Sequence, residues 1–433
     1  MNINVGSASP VSSAADSIRD LVLQRIEPAV AVRMPAQALT VRIEELVSAI
    51  ANERRVLMNS AEQRGLTNDI VNDMIGLGPL EALLQDDTVN DVLVNGPNRI
   101  YVERRGKLEL TPLKFRHDAH VMHVIQRIAS SMGRRIDESS PMLDARLADG
   151  SRVNIIIPPL SLRGPCISIR KFARDVMEFS RFVDVGTLSA DLARVLEIAA
   201  RCRLNIIISG GTGSGKTTLL NALSRTIDVG ERLITIEDAA ELQLQQPHVL
   251  ALETRPPNIE GQGEVLPRDL VRNALRMRPD RIIVGEVRGS EAFDMMQAMN
   301  TGHNGSMSTV HANSPRDALA RIENMILMAN TNLPMAAIRA QMASALDLIV
   351  QIERMRDGVR RVTYVQEIAG AEGDMISLGT LFSYHYAGEN PDGSLRGVFE
   401  PRATRPRFYN RLEYFGLGDA FMKALGGNVE KRT

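Results

Sequence analysis

The sequence predicts an α/β protein whose main domain is a parallel-rich sheet with helices on both faces. From about Leu188 onward, short apolar strands alternate with helical stretches, which is the pattern of a parallel sheet covered on both sides. The predicted strands of this domain are Leu204–Ser209, Arg232–Ile236, Arg281–Gly285 and Ser306–Val310. A glycine-rich loop follows the first strand and opens a helix, an order typical of sheets that bind phosphate groups.

Two smaller parts are predicted ahead of this domain. The predicted segments are a disordered start (1–16), a helical module (17–74), an α+β domain (75–172), a linker (173–187) and the main domain with a C-terminal extension (188–433). The start is rich in serine and alanine and has no periodic pattern. The helical module carries apolar residues at helical spacing. It is either a folded unit or an arm of helices that docks on a partner.

Composition argues against several classes of protein. The formal net charge is −1, there is no Trp, and 4% of residues are aromatic, so neither a basic field nor stacking platforms favour a nucleic-acid partner. The two cysteines, Cys166 and Cys202, fit no metal-ligand spacing and predict no structural zinc and a reducing compartment. Neither a long apolar run nor a basic leader pattern is present, so we expect a cytoplasmic protein without a transmembrane segment.

The glycine-rich loop is a phosphate-binding motif. Residues Gly210–Thr217 match G-x-x-x-x-G-K-[ST] in full, and the glycines let successive N–H groups point at phosphate oxygens. The predicted nucleotide-binding residues are Gly211, Thr212, Gly213, Ser214, Gly215, Lys216, Thr217 and Thr218. We expect Lys216 to reach the β- and γ-phosphates and Thr217 to offer its hydroxyl to Mg²⁺. The alternative is a glycine-rich turn without a ligand.

Acidic side chains end two of the predicted strands. Glu237 and Asp238 follow one strand, with Glu241 three residues later, and Glu286 follows another. Because ligands gather beyond the carboxyl ends of parallel strands, both acidic segments should face the phosphate loop. One should orient the attacking water and the other should hold Mg²⁺ through its waters. Helix capping is the alternative for Asp238 and Glu241, and a solvated strand end is the alternative for Glu286.

Two histidines and two arginines are further candidates. His303 and His311 flank a glycine-rich segment and a strand, and both are predicted sensors of the γ-phosphate unless they are ordinary loop histidines. Arg152 and Arg170 belong to the preceding α+β domain. An arginine supplied from another domain can stabilise transition-state charge, with a surface salt bridge as the alternative.

These motifs occur in an order that resembles the secretion ATPase superfamily of type II secretion, type IV pili and type IV secretion. The order is a Walker A loop (210–217), an acidic box (235–238), a Walker B segment (284–286) and a histidine box (301–311). Three further segments are similar to the tight-adherence (Tad/Flp) pilus ATPases, the CpaF/TadA family. They are Gly76–Leu80, Val94–Pro97 and Tyr101–Arg104. The resemblance covers about residues 75–380.

The resemblance implies a RecA-like P-loop NTPase core preceded by a small α+β, PAS-like domain, with ATP and Mg²⁺ bound between them in a homo-hexameric ring. Glu286 would be the catalytic carboxylate, assisted by Glu237 and Asp238. Arg152 and Arg170 would reach the γ-phosphate. ATP hydrolysis would drive pilus extension, or both extension and retraction, through inner-membrane platform proteins to which the cytoplasmic motor binds peripherally.

Two departures from the superfamily pattern affect this interpretation. Gly285 stands where many P-loop enzymes carry Asp, so more of the catalytic role is assigned to Glu286 and the acidic box. The tetracysteine zinc element of some type II secretion and type IV pilus motors cannot be built from two cysteines, which favours the Tad branch.

Three other functions compete with the Tad motor. A conjugation-type secretion ATPase that moves DNA or protein is the main alternative. A GTP switch would need an Asn-Lys-x-Asp element, and no lysine here follows an asparagine. A non-catalytic nucleotide-bound scaffold is disfavoured by the intact Lys216, Thr217 and Glu286.

Overall fold

The chain divides into two units, Met1–Ala173 and Arg174–Thr433. The computed structural model describes residues 10–26, 28–31, 34–104, 107–171, 177–255, 257, 262–329, 332–372 and 375–427. Among the helices described, none combines the length and apolar character needed to span a bilayer.

The first unit opens with helices. They are α1 (Pro10–Arg25), α2 (Pro28–Ala31), α3 (Ala36–Glu53) and α4 (Ser60–Ile75). On α3, Leu39, Ile43 and Val47 repeat every four residues and are fully buried, because this spacing places them on one face of a helix. The side chain of Asn59 caps α4 by accepting from the N–H groups of Ala61 and Glu62. The described residues of the segment predicted as a helical module are therefore mainly helical.

The predicted disordered start is wrong for residues 10–16. The first helix already begins at Pro10, and proline favours the first turn of a helix because its φ is preset there and its missing N–H is not needed. Residues 1–9 of that predicted segment lie outside the described residues.

An antiparallel sheet completes the first unit. The elements after α4 are a 3₁₀ turn (Gly78–Leu80), α5 (Glu81–Gln85), β1 (Val89–Asn95), β2 (Ile100–Arg104), β3 (Lys107–Leu110), α6 (Asp118–Ser131), β4 (Met142–Arg146), β5 (Arg152–Ile156) and β6 (Cys166–Arg170). The strand order is β3-β2-β1-β6-β5-β4, and every neighbouring pair is antiparallel. Val121, Val124 and Ile128 of α6 belong to the same buried apolar cluster as the strands, so this helix packs on the sheet.

The second unit is an α/β domain. Its elements are α7 (Phe179–Asp184), α8 (Ala190–Arg201), β7 (Ile206–Gly210), α9 (Lys216–Ser224), β8 (Leu233–Glu237), β9 (Val249–Glu253), α10 (Pro267–Ala274), β10 (Arg281–Val284), α11 (Glu291–Asn300), β11 (Met307–His311), α12 (Pro315–Met328), α13 (Met335–Ala345), β12 (Leu348–Arg354), β13 (Arg360–Glu372), β14 (Met375–Glu389), β15 (Leu395–Pro401), α14 (Tyr409–Tyr414) and α15 (Gly418–Ala424). The strand order is β15-β14-β13-β12-β7-β11-β10-β8-β9. The six strands from β12 to β9 in this order are parallel, and β13, β14 and β15 extend the sheet antiparallel.

Both faces of this sheet are covered, as the sequence predicts. Ile206 and Ile208 of β7 join one buried cluster, with α8, α9 and α15. Ile207 joins the other cluster, with residues of α10, α11, α12 and α13. Successive side chains of a strand point to opposite faces, so a strand buried on both sides has to be apolar throughout. The predicted α/β fold class is confirmed.

The predicted linker (173–187) is too long. Phe179 and Phe182 of α7 are buried in the cluster that contains α8, so this segment is part of the second unit. The two rings repeat at the i, i+3 spacing of a helix, but a stretch this short holds too few apolar residues to predict a helix from their periodicity. Residues 173–176 of the predicted linker lie outside the described residues.

Candidate active site

The phosphate loop connects β7 to α9, and its glycines are required by its shape. Gly213 and Gly215 have φ angles of 69° and 97°, which residues with a Cβ rarely adopt. A Cβ on Gly210 would collide with the carbonyl oxygen of Ile352 on the neighbouring strand β12. The loop leads directly into the first turn of α9, where unpaired N–H groups favour an anion.

Lys216 lies within the curve of this loop. Its Nζ donates to the carbonyl oxygens of Gly210 (3.0 Å) and Gly211 (2.9 Å). Burial lowers the pKa of Lys216, while the nearby Glu286 carboxylate favours its charged form. The loop therefore holds a cation that can exchange carbonyl oxygens for phosphate oxygens.

The carboxyl ends of the parallel strands bring the acidic residues to the same edge as the loop. His311, the last residue of β11, pairs with Gly210, the last residue of β7. Val284 of β10 pairs with Ile236 of β8, so Glu237 and Glu286 both lie at this edge. The sequence-based expectation that the strand ends carry the site agrees with this arrangement.

Glu286 is hydrogen-bonded on both of its oxygens. Oε1 accepts from Nδ1 of His311 at 2.7 Å, and Oε2 accepts from Arg288 at 2.7 Å. Nε2 of His311 lies 2.8 Å from Oγ1 of Thr212, and in a neutral imidazole a proton on Nδ1 leaves Nε2 to accept from this hydroxyl. Burial raises the pKa of Glu286, but the hydrogen bonds from Arg288 and His311 outweigh it, and the pKa lies below its usual value. A charged carboxylate is thus connected through one imidazole to the phosphate loop.

The acidic box forms the wall beside this carboxylate. Glu237 is buried, and its Oε1 accepts from the backbone N–H groups of Glu241 (2.8 Å) and Leu242 (3.0 Å). Asp238 is exposed and lies 3.4 Å from Arg288. Glu237 therefore shapes the loop that carries Asp238 and Glu241.

The absence of a side chain at Gly285, in the Walker B segment, has a steric explanation. A Cβ on Gly285 would lie 2.7 Å from Cγ of Glu237 and 3.1 Å from its Oε1. The aspartate found here in many P-loop enzymes would therefore collide with the acidic box. The buried Glu237 carboxylate occupies the space that such a side chain would need.

Magnesium fits the oxygen donors at this edge. Thr217 and Thr218 are half-buried in the first turn of α9, and Asp238 and Glu241 lie on the neighbouring loop. Hydroxyl and carboxylate oxygens suit Mg²⁺, which usually takes few protein ligands and keeps water and substrate phosphates. Within the described residues no group of three or more His, Cys, Asp or Glu side chains could hold a metal ion. These residues fit an ion that shares its coordination with a nucleotide.

The structure does not bring His303 to the phosphate loop, so its predicted role as a γ-phosphate sensor has no support from this geometry. It precedes β11, whose first residue, Met307, pairs with Ile206 at the start of β7. The full length of β11 therefore separates His303 from His311 and the phosphate loop. Its backbone N–H and its Nδ1 both lie 3.3 Å from the carbonyl oxygen of Ala298, which is the ordinary loop role.

Arg152 and Arg170 lie in the first unit, opposite each other on β5 and β6. Nε of Arg170 donates to Asp91 at 3.2 Å. Their role at a γ-phosphate stays a prediction.

Two arginines of the site were missed from the sequence. Arg288 follows Glu286 by two residues, and in an extended segment this spacing puts both side chains on one side, which was a usable signal. Arg360, whose Nε donates to the carbonyl oxygen of Gly213 at 2.9 Å, carries no local signal because it is 147 residues away.

The fold and the loop define a RecA-like α/β protein. Residues 73–370 match the family described as Type II/IV secretion system protein, and the chain belongs to this family. The predicted membership of the secretion ATPase superfamily is confirmed.

Named relatives and one solved structure agree with this family. A putative conjugal transfer protein of Mycobacterium tuberculosis is 38% identical over 307 residues, which cover 70% of this chain and 87% of that protein. The type IV secretion system protein VirB11 of Bartonella quintana is 32% identical over 331 residues, covering 67% and 91%. The crystal structure of the pilus retraction motor PilT with bound ADP is similar in fold, with a TM-score of 0.50 and 17% identity over 81% of this chain and 89% of that chain.

Proposed function

We propose that this protein is an ATP-hydrolysing motor of the secretion ATPase type. The observation that carries the proposal is the hydrogen-bonded connection from Glu286 through His311 to Thr212 of the phosphate loop. A charged carboxylate and the predicted phosphate-binding loop lie at one sheet edge, and this arrangement supports hydrolysis of a phosphoanhydride. Family membership supports the same activity.

Each side chain has a proposed role in hydrolysis. Glu286 orients the attacking water and accepts its proton, and its lowered pKa keeps it ionised for this task. Lys216 and the loop N–H groups bind the phosphates, and Thr217 would hold Mg²⁺ with Asp238 and Glu241 through waters. When bound, Mg²⁺ neutralises charge on the phosphate oxygens. Glu237 holds the acidic loop, and His311 and Arg288 orient the Glu286 carboxylate.

We further propose a homo-hexameric ring, as the superfamily resemblance implies. Arg152 and Arg170 of the first unit would reach the γ-phosphate in that ring. The protein would be cytoplasmic and would associate with the inner membrane through platform proteins. Its mass in solution, measured by light scattering with and without Mg-nucleotide, tests the ring; a chain that stays monomeric under both conditions would contradict it.

The work done by the motor is proposed to be Tad pilus assembly. The segments Gly76–Leu80, Val94–Pro97 and Tyr101–Arg104, together with only two cysteines, support this branch. A conjugation-type secretion ATPase is the second candidate. It is supported at least as well, because relatives that match about two thirds of the chain are named conjugal transfer and type IV secretion proteins.

A complementation experiment separates the two machines. The gene is deleted in its source strain and restored as wild type or as Glu286→Gln, and surface pilin and transfer of a mobilisable plasmid are both measured. A Tad motor predicts that only the wild type restores surface fibres and that plasmid transfer is unaffected. Loss of plasmid transfer with normal fibres would favour the conjugation-type assignment instead.

A further inference from the structure

We propose that Arg360 is a positioning residue for the phosphate loop, presented by the hairpin of β12 and β13. The inference rests on the proposed function, since it concerns how the same loop becomes ready for a nucleotide. Arg360 lies outside every motif discussed above, and its contact with the loop joins the antiparallel extension of the sheet to the nucleotide site.

The contact spans the middle of the loop. Nε of Arg360 donates to the carbonyl oxygen of Gly213 at 2.9 Å. A Cβ placed on Gly215 would lie 3.0 Å from Cδ of Arg360, so the arginine stem packs closely against that glycine. The guanidinium and its stem together contact both residues of the loop that have positive φ.

The hydrogen bond fixes the direction of one peptide group. In a planar trans peptide the carbonyl oxygen and the following N–H point to opposite sides. When Arg360 holds the carbonyl of Gly213, the N–H of Ser214 must point the other way, where it makes a long 3.4 Å contact with the carbonyl oxygen of Gly211. A phosphate oxygen can replace this weak acceptor. Arg360 thereby preorganises one of the N–H groups that bind phosphate.

The hairpin is built to hold Arg360 in place. β12 pairs in parallel with β7, so Gln351 lies beside Ser209 just before the loop. In the turn after β12, the Asp357 carboxylate accepts from Arg361 at 2.8 and 2.9 Å. Both side chains of this ion pair are buried, and they are fixed in one geometry.

The turn is also tied to the outer strand. Asp357 accepts from the N–H of Leu395 on β15 (3.0 Å) and from the N–H of Val359 (3.1 Å). Neighbouring residues of a strand point to opposite faces, so Arg361 anchors one face while Arg360 meets the phosphate loop on the other. Asp357 and Arg361 thus position Arg360 through contacts within the hairpin and with β15.

Nucleotide binding tests the proposal. The affinity of the full chain for fluorescent mant-ADP with Mg²⁺ is measured for wild type, Arg360→Ala, Arg360→Lys and Arg356→Ala. Arg356 is the matched control because it carries the same charge on the same hairpin but contacts Tyr386 and Glu389 of β14. We expect Arg360→Ala to bind roughly tenfold more weakly, or about 1.4 kcal/mol. Arg360→Lys should recover part of this loss, and Arg356→Ala should bind as wild type does.

A kinetic readout separates positioning from simple loss of structure. Arg360→Ala should raise KM for ATP while kcat stays near the wild-type value, because the loop is displaced but Glu286 is not. Asp357→Asn should raise KM by a few fold, since it loosens the turn that positions Arg360.

Equal binding by Arg360→Ala and wild type would overturn the inference, as would an equal loss in Arg356→Ala. A wild-type chain that binds no nucleotide would overturn the proposed function itself.

Discussion

The groups around Glu286 stabilise the negative charge of its carboxylate. Two hydrogen bonds, from Arg288 and His311, hold its pKa below the usual value although burial alone would raise it. Removing either donor should therefore raise the pKa of the carboxyl and loosen its orientation. The two donors differ, because His311 also contacts Thr212 of the phosphate loop.

Substitution of His311 tests this connection, with His303 as the matched control. His311→Ala should lower kcat roughly tenfold, because one charge-assisted hydrogen bond to Glu286 is lost. His303→Ala should leave kcat unchanged, since His303 lies at the opposite edge of the sheet. Steady-state ATP hydrolysis measures both variants, and similar losses in the two would contradict the placement of His303.

The pH dependence of His311→Ala has a defined sign. In the proposed mechanism the ionised form of Glu286 is the active one, and its lowered pKa favours that form. Without the His311 hydrogen bond the pKa rises, so protonation begins at higher pH. The acidic limb of the kcat–pH profile should therefore move to higher pH in this variant, and an unmoved limb would mean that His311 does not tune Glu286.

Gly285 and Glu237 should be energetically coupled. Gly285→Ala places a methyl group 2.7 Å from Cγ of Glu237 and should destabilise the protein by about 1–3 kcal/mol. Glu237→Ala removes the obstacle, so the double variant should lose less stability than the two single losses combined. Denaturant unfolding of the four proteins measures the coupling, and strictly additive losses would rule out the steric explanation of this glycine.

Cys202 should be chemically inert in the folded protein. It is fully buried, and burial raises the pKa of its thiol to about 11. The thiolate is the reactive form, so iodoacetamide at mildly alkaline pH should leave Cys202 unmodified until denaturant is added. Mass spectrometry of the labelled peptides gives the result; rapid labelling without denaturant would contradict the burial of Cys202 at the end of α8.

Elements that a local sequence motif marks could be predicted. Contacts that depend on the pairing of strands far apart in the sequence could not. The phosphate loop follows from a motif with fixed residue types, and Glu237 and Glu286 follow from the rule that strand ends gather ligands. The contact of Arg360 with Gly213 depends on the pairing of β12 with β7, and the residues that neighbour Arg360 in the sequence do not predict this pairing.

Two differences between the sequence-based expectations and the structure are explained by individual elements. His311 is the last residue of β11 and His303 precedes its first residue, so the length of the strand keeps the two histidines apart and only His311 lies at the phosphate edge. The serine- and alanine-rich start lacks apolar periodicity, but proline and alanine are compatible with a first helical turn, and a helix begins at Pro10.

At the scale of the whole molecule, each unit has its own core. Among the described residues, the buried members of the clusters of the second unit lie between Phe179 and Leu425, and those of the first unit lie between Ile18 and Ile169. A fragment of residues 177–427 should therefore fold alone and unfold cooperatively. It holds the complete phosphate loop and Glu286, so it should still bind Mg-ADP.

The same fragment tests the predicted arginines. It lacks Arg152 and Arg170, so if they stabilise transition-state charge, hydrolysis should fall by roughly 10³ or more while binding is retained. Circular dichroism, mant-ADP titration and phosphate release are the measurements. A fragment that hydrolyses ATP as fast as the full chain would remove both arginines from the mechanism.

Steady-state ATP hydrolysis by the purified full chain, beside Glu286→Gln, is the most direct test of the central claim. We expect Mg²⁺-dependent hydrolysis by the wild type, and a Glu286→Gln variant that binds nucleotide normally but turns over roughly 10²–10⁴ times more slowly. A Glu286→Gln variant that hydrolyses ATP at the wild-type rate would contradict the assignment of the catalytic carboxylate, and a wild-type chain that hydrolyses none would contradict the proposed motor.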